Sequence, residues 1–239
     1  VLESPSSVVF RVQDIKKAAE AAHAKGALVY IDNTFCTPIY QNPLELGADF
    51  VMHTASKYLG GHSDIIGGSL TVKDPELGKR VRTIREQIGS IIGPMEGWLM
   101  MRGLRTLEVR VKEHGKTALA VAQYLEQHPK VKKVYYTGLA SHPQHELIEK
   151  QQSGHTGLLS FELDSTTQEA KEFCQALRIF KIGVSWGGFE SLVMMPYARE
   201  DEETCKKMGA GQNVIRIHCG LEGTENLIED LEQAFQQVF

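Results

Sequence analysis

The stretch YIDNTFCTPIYQNPLELGADFVMHTASKYLGGHSDIIGG, residues 30–68, decides how the chain is read. Two short apolar runs, 27–31 and 48–52, read as buried strands. Each stops abruptly in polar residues, Asp32-Asn33-Thr34 after the first and Thr54-Ala55-Ser56-Lys57 after the second. In an open parallel sheet, ligands bind outside the carboxyl ends of the strands. One such end would offer a carboxylate, the other two hydroxyls and an amine. An amine in a largely apolar setting loses its charge more readily than a solvated lysine, and the neutral form attacks carbonyl carbon.

Working outward, Asp14 is placed to cap a helix over 15–25, closed by Gly26. Ile15, Ala18, Ala19 and Ala22 form its apolar stripe. With a short helix between the two apolar runs, the order is α-β-α-β, the alternation of a parallel sheet covered on both faces. A further strand is predicted at 67–72, and Asp74-Pro75 starts another helix. The pattern from 94 to about 128 is mostly helical, with Gly103 and Gly115 as weak points. Beyond it the spacing predicts strands at 131–136, 158–163, 182–186 and 214–219, with helices at 145–151, 166–177 and 225–239. That second set reads as a smaller α/β unit, with the boundary near Glu113: residues 1–112 in the larger domain and 113–239 in the smaller.

A chain of 239 residues can bury a sizeable core. Its net charge of −4 supplies no electrostatic reason for a nucleic-acid partner. The four cysteines, Cys36, Cys174, Cys205 and Cys219, have no C-x-x-C spacing, so a disulfide framework is not expected and a reducing cytoplasm is the plainer setting. No apolar run approaches the ~20 residues that span a bilayer, so no membrane partner is expected. His53, His62 and His218 belong to no ligand-spaced cluster, so no metal site is expected either. Gly209-Ala210-Gly211 is too short a glycine pattern for a dinucleotide.

Asp32-Asn33-Thr34, Asn42-Pro43-Leu44, Gly47-Ala48-Asp49, Ser56-Lys57-Tyr58-Leu59 and Gly61-His62-Ser63-Asp64 together resemble the Cys/Met-metabolism family of pyridoxal-phosphate (PLP) enzymes. The resemblance runs over nearly the whole chain. It implies an α/β fold of the fold-type-I, aspartate-aminotransferase-like PLP class: part of a mainly parallel large domain, then a smaller C-terminal one. It also implies that considerable sequence precedes Val1 in the family, so that the chain is expected to be a fragment. The family's aromatic ring that stacks on the cofactor and its remaining phosphate ligands would lie in that upstream part. Assembly as a homotetramer is a further implication.

By the same resemblance Lys57 would join the cofactor aldehyde and shuttle protons, Asp32 would face the pyridine nitrogen, and Thr54 and Ser56 would hold the phosphate. The residues alone leave these positions open to a solvated lysine, a turn-capping aspartate and hydroxyls satisfying their own backbone. In the second half, Ser185-Trp186-Gly187-Gly188 resembles the substrate-side motif, and Arg216 matches the arginine that binds the substrate carboxylate. A structural ion pair is the alternative for an arginine in an apolar strand. Ser7 stands where γ-acting members carry asparagine, and with Ser185-Trp186 it resembles the branch that cleaves cystathionine, or a related cysteine S-conjugate, by β-elimination. γ-Elimination or replacement, transamination and a non-catalytic fragment are the other readings.

Overall fold

The structure, a computed structural model, describes residues 1–239. Strand β1 (Leu2–Glu3) leads through helix α1 (Ile15–His23) to β2 (Tyr30–Asp32), and through α2 (Thr37–Tyr40) to β3 (Phe50–Thr54). A π-helical turn, Ala55–Leu59, then precedes β4 (Gly68–Val72). Helices α3 (Pro75–Ile88), α4 (Pro94–Arg105) and α5 (Leu107–Gln127) follow. The rest runs β5 (Val131–Tyr135), α6 (His145–Gln151), β6 (Leu158–Leu163), α7 (Thr167–Ala176), β7 (Lys181–Ile182), β8 (Leu192–Met194), α8 (Glu202–Met208), β9 (Val214–His218) and α9 (Thr224–Val238).

The first sheet has the order β1-β2-β3-β4, with the first three strands parallel. Strand β4 runs antiparallel to β3. The sheet is thus mainly parallel, as expected, and β4 can run back along β3 because only a turn and a loop, with no crossover helix, join the two strands. The local start signals act as read: Asp14 accepts from the Lys17 amide at 3.0 Å and Asp74 from the Leu77 amide at 2.8 Å. The predicted strand at 27–31 begins only at Tyr30, since the Asp49 carboxylate takes the Val29 N–H at 2.7 Å. Both site strands reach further than predicted, so that Asp32 and Thr54 are their last residues.

The helical stretch after Pro94 breaks at Thr106. Gly115, by contrast, sits inside an uninterrupted α5: a Cβ there would lie 2.1 Å from the His155 carbonyl oxygen, so its smallness serves a close approach. The second sheet, in the order β5-β6-β9-β8-β7, is antiparallel except at β7-β8. A 22-residue apolar cluster fills the space between it and α5, α7 and α9, including Phe161, Phe173, Ile215, Ile217 and Phe235. Strand β7 ends at Ile182, four residues short of prediction. The next carbonyl but one, that of Val184, is taken by the Arg216 side chain, and Ser185 to Gly188 form an irregular loop. Strand β8 and helix α8 were not anticipated, although α8 carries the Asp201 cap and Gly209 stop that mark a helix.

All four cysteines are free and buried. No helix is long and apolar enough to cross a membrane.

Candidate active site

Lys57 sits in the π-helical turn that β3 runs into, with a non-helical backbone at φ −98° and ψ −134°. Its neighbours Ala55, Tyr58 and Leu59 are buried with Ile65, Leu107 and Val111, which anchors the turn on α5. Tyr58 is fully buried, and its hydroxyl accepts the Gly157 N–H at 2.9 Å. The turn is therefore fixed while the half-buried Lys57 side chain is free to reach across the site. Its Nζ donates to Ser185 Oγ at 2.9 Å and lies 5.3 Å from the centroid of the Trp186 ring. Burial, then the Arg216 charge, holds the amine below the ordinary lysine range.

The loop from Ser185 to Gly188 lies directly on the lysine backbone. Gly187 has φ +84°, and a Cβ there would fall 2.7 Å from the Tyr58 nitrogen and 3.0 Å from the Lys57 carbonyl carbon. Those atoms are backbone and cannot swing aside. Gly187→Ala is expected to cost about 2 kcal/mol for the left-handed backbone alone, with the clash added, and to lift Ser185 off Lys57. Thermal denaturation should show a clear fall in melting temperature; an unchanged melting curve would contradict this packing.

Arg216 is 9% exposed and has no carboxylate within ion-pair distance. Nη2 donates to the Val184 carbonyl at 2.7 Å and Nη1 to Ser7 Oγ at 3.3 Å. The structural ion pair considered from sequence is thus absent. Two cations, Lys57 and Arg216, share a partly desolvated region without an anion, an arrangement suited to an anionic ligand.

Asp32 lies at the end of β2, in register with Met52 of β3. Its Oδ1 accepts from the Thr34 N–H at 2.9 Å and from the Thr34 hydroxyl, whose oxygen in turn accepts the Thr54 N–H at 2.8 Å. Thr34, unassigned from sequence, therefore ties the carboxylate to the strand that delivers Lys57. Asp32 Oδ2 makes no hydrogen bond. Thr54 Oγ1 has only the Met52 sulfur, at 3.7 Å, whereas Ser56 Oγ accepts the Gly67 N–H at 3.3 Å. Lys57, Ser185 and Trp186 thus meet directly, and Arg216 adjoins them through Val184. Asp32 and Thr54, at the ends of β2 and β3, are joined through Thr34, and Ser56 lies in the turn beyond; none of the three bonds to Lys57 Nζ.

Trp186 packs edge-on to Tyr58, with ring centroids 5.5 Å apart. His62 Nδ1 meets the Gly60 carbonyl at 2.7 Å, a loop-fixing role, and His53 joins a buried network with Asn33. A groove of about 820 Å³ between β4 and α3 is lined by residues that include Tyr30, Met52, Leu70 and Ile84, and contains none of the site residues.

The family model described as Cys/Met metabolism PLP-dependent enzyme matches residues 1–236. Cystathionine gamma-lyase of Dictyostelium discoideum is 38% identical over 240 residues, a match that covers 99% of this chain and 62% of that protein. Cystathionine beta-lyase of Lactococcus lactis subsp. cremoris (strain MG1363) is 40% identical over 239 residues, covering 98% and 63%. The crystal structure of cystathionine gamma synthase from Xanthomonas oryzae pv. oryzae in complex with cystathionine superposes with a TM-score of 0.94 at 37% identity, over 99% of this chain and 62% of the other. The chain spans less than two thirds of the length of each.

Proposed function

The chain belongs to the Cys/Met metabolism family of PLP-dependent enzymes, and on that premise we propose that the protein is a carbon–sulfur lyase of sulfur amino-acid metabolism. Its substrate is L-cystathionine or a related cysteine S-conjugate, and its chemistry is β-elimination: cystathionine and water give homocysteine, pyruvate and ammonia. The observation that carries this reading is the Lys57 amine, kept below the ordinary lysine range and 2.9 Å from Ser185 Oγ, beside an Arg216 that lacks an anion.

The residues fit PLP. An amine of weakened basicity suits the aldehyde, the free Oδ2 of a carboxylate oriented by Thr34 suits a ring N–H, and Thr54 and Ser56 supply hydroxyls for the phosphate. Bound there, PLP supplies an electron sink for the charge left at the substrate Cα. Lys57 Nζ removes the Cα proton and can return a proton to the departing sulfur. Arg216 holds the substrate carboxylate with its planar fork, and Ser185 keeps the amine directed while Trp186 walls the site.

Homo-oligomeric assembly, in the family a homotetramer, belongs to the same proposal. It is supported by the exposed apolar residues Ile84, Ile88, Ile91, Met95, Trp98 and Met101 around α3 and α4. γ-Type chemistry is the second reading, favoured by the names of two of the relatives. Product analysis with cystathionine separates them: pyruvate with homocysteine is expected, and 2-oxobutyrate with cysteine would replace the β reading by the γ one.

A further inference from the structure

Strand β9 presents two polar side chains on one face. Alternation puts Ile215 and Ile217 into the apolar cluster and turns Arg216 and His218 the other way. These two grip the site loop at both ends. Arg216 Nη2 donates to the Val184 carbonyl at 2.7 Å, just before Ser185, and His218 Nε2 meets the Gly188 carbonyl at 3.0 Å, at the loop's far end. A carbonyl only accepts, so Nε2 carries the proton and Nδ1 is the bare nitrogen. His218 is 1% exposed and its Nδ1 has no partner.

The surroundings hold that tautomer neutral. The His114 ring lies 5.0 Å from the His218 ring and gives its own Nδ1–H to the Cys219 carbonyl at 2.8 Å. Tyr58 packs edge-on at 5.7 Å, and Arg216 is the nearby cation. Burial pushes His218 down to about 3 and His114 to about 4. The imidazole therefore works as a fixed donor, not as an acid or base.

We propose that His218 is a positioning residue: its Nε2–H holds the Gly188 carbonyl and so keeps Ser185 and Trp186 seated against Lys57. The inference rests on the reading of Lys57 as the working amine. Phenylalanine at 218 would retain a flat ring beside Tyr58 and His114 but lose the donor. Glutamine would place an amide N–H near the former Nε2.

His218→Phe is expected to lower kcat about 10- to 100-fold, as for a site displaced by about an ångström, with KM within about twofold. In a Trp98→Phe background, where Trp186 is the remaining tryptophan, its emission should shift to the red and quench more readily with acrylamide. His218→Gln should recover most of both. Nitrogen NMR of the unsubstituted protein, with the signal assigned through His218→Gln, should show Nε2 protonated and Nδ1 bare at neutral pH. Phe and Gln variants that behave alike, parental emission and kcat in His218→Phe, or a protonated Nδ1 would overturn the proposal. The NMR result decides even if the Phe variant does not fold. A protein that turns over no cystathionine would sink the lyase reading alone, leaving emission and NMR to judge His218.

Discussion

Replacing Lys57 with alanine is expected to lower cystathionine turnover by roughly 10³-fold or more and to abolish the visible absorbance of protein-linked PLP. The size follows from two roles held by one amine. A positioned general base contributes ~10²–10⁴-fold, and loss of the covalent anchor comes on top of that. No neighbour can substitute, because the closest side-chain partner of Nζ is the Ser185 hydroxyl, which is not basic at neutral pH. Folding should survive: Lys57 is only half-buried and its turn is anchored by Tyr58, Ala55 and Leu59. Circular dichroism should thus match the parent while the absorbance band disappears. Parental absorbance and rate in this variant would remove the foundation of the proposed chemistry.

Arg216→Lys is expected to raise KM for cystathionine by roughly 10- to 100-fold, with a smaller change in kcat. A hydrogen bond to a charged group contributes ~1.5–3 kcal/mol, and about 1.4 kcal/mol is a factor of ten. Lysine keeps the charge but not the planar pair of donors. Arg216 is also a buried cation without a carboxylate, an expensive state for a folded protein at rest. Arg216→Met should therefore melt close to the parent, with relief of the buried charge offsetting the lost hydrogen bond to the Val184 carbonyl, while losing substrate affinity, a separation between stability and function that a structural ion pair would not give. Methionine should also let the Lys57 amine become more basic, because the Arg216 charge is one of the two causes that depress it. An unaltered KM in the lysine variant, or a sharp loss of stability in the methionine variant, would return Arg216 to a structural role.

Much of this was legible because the signals are local. Asp14 and Asp74 each cap through a backbone amide three residues ahead, and the stretches 145–151 and 158–163 fold as their periodicity predicts. The strand predicted at 182–186 stops at Ile182 because the carbonyls of Val184 and Gly188, on either side of the loop, bond to side chains from β9, partners about thirty residues away that no local pattern encodes. The direction of β4 escaped for a related reason: strand periodicity is the same whichever way a strand runs. Thr34 lay in a quoted motif but had no role of its own, and His218 belonged to no ligand-spaced cluster. What marks them is what they touch.

The amino-acid sequence alone determined the family and most of the succession of strands and helices, and it put an aspartate at the end of one strand and a lysine just beyond the end of another, since these depend on side-chain order over short spans. Only the tertiary structure decided that Lys57 meets Ser185, that Arg216 has no anion, and that Gly187 lies on the lysine backbone. Such facts arise when segments more than a hundred residues apart in the chain are brought into contact, and burial there sets charge, basicity and allowable volume at once.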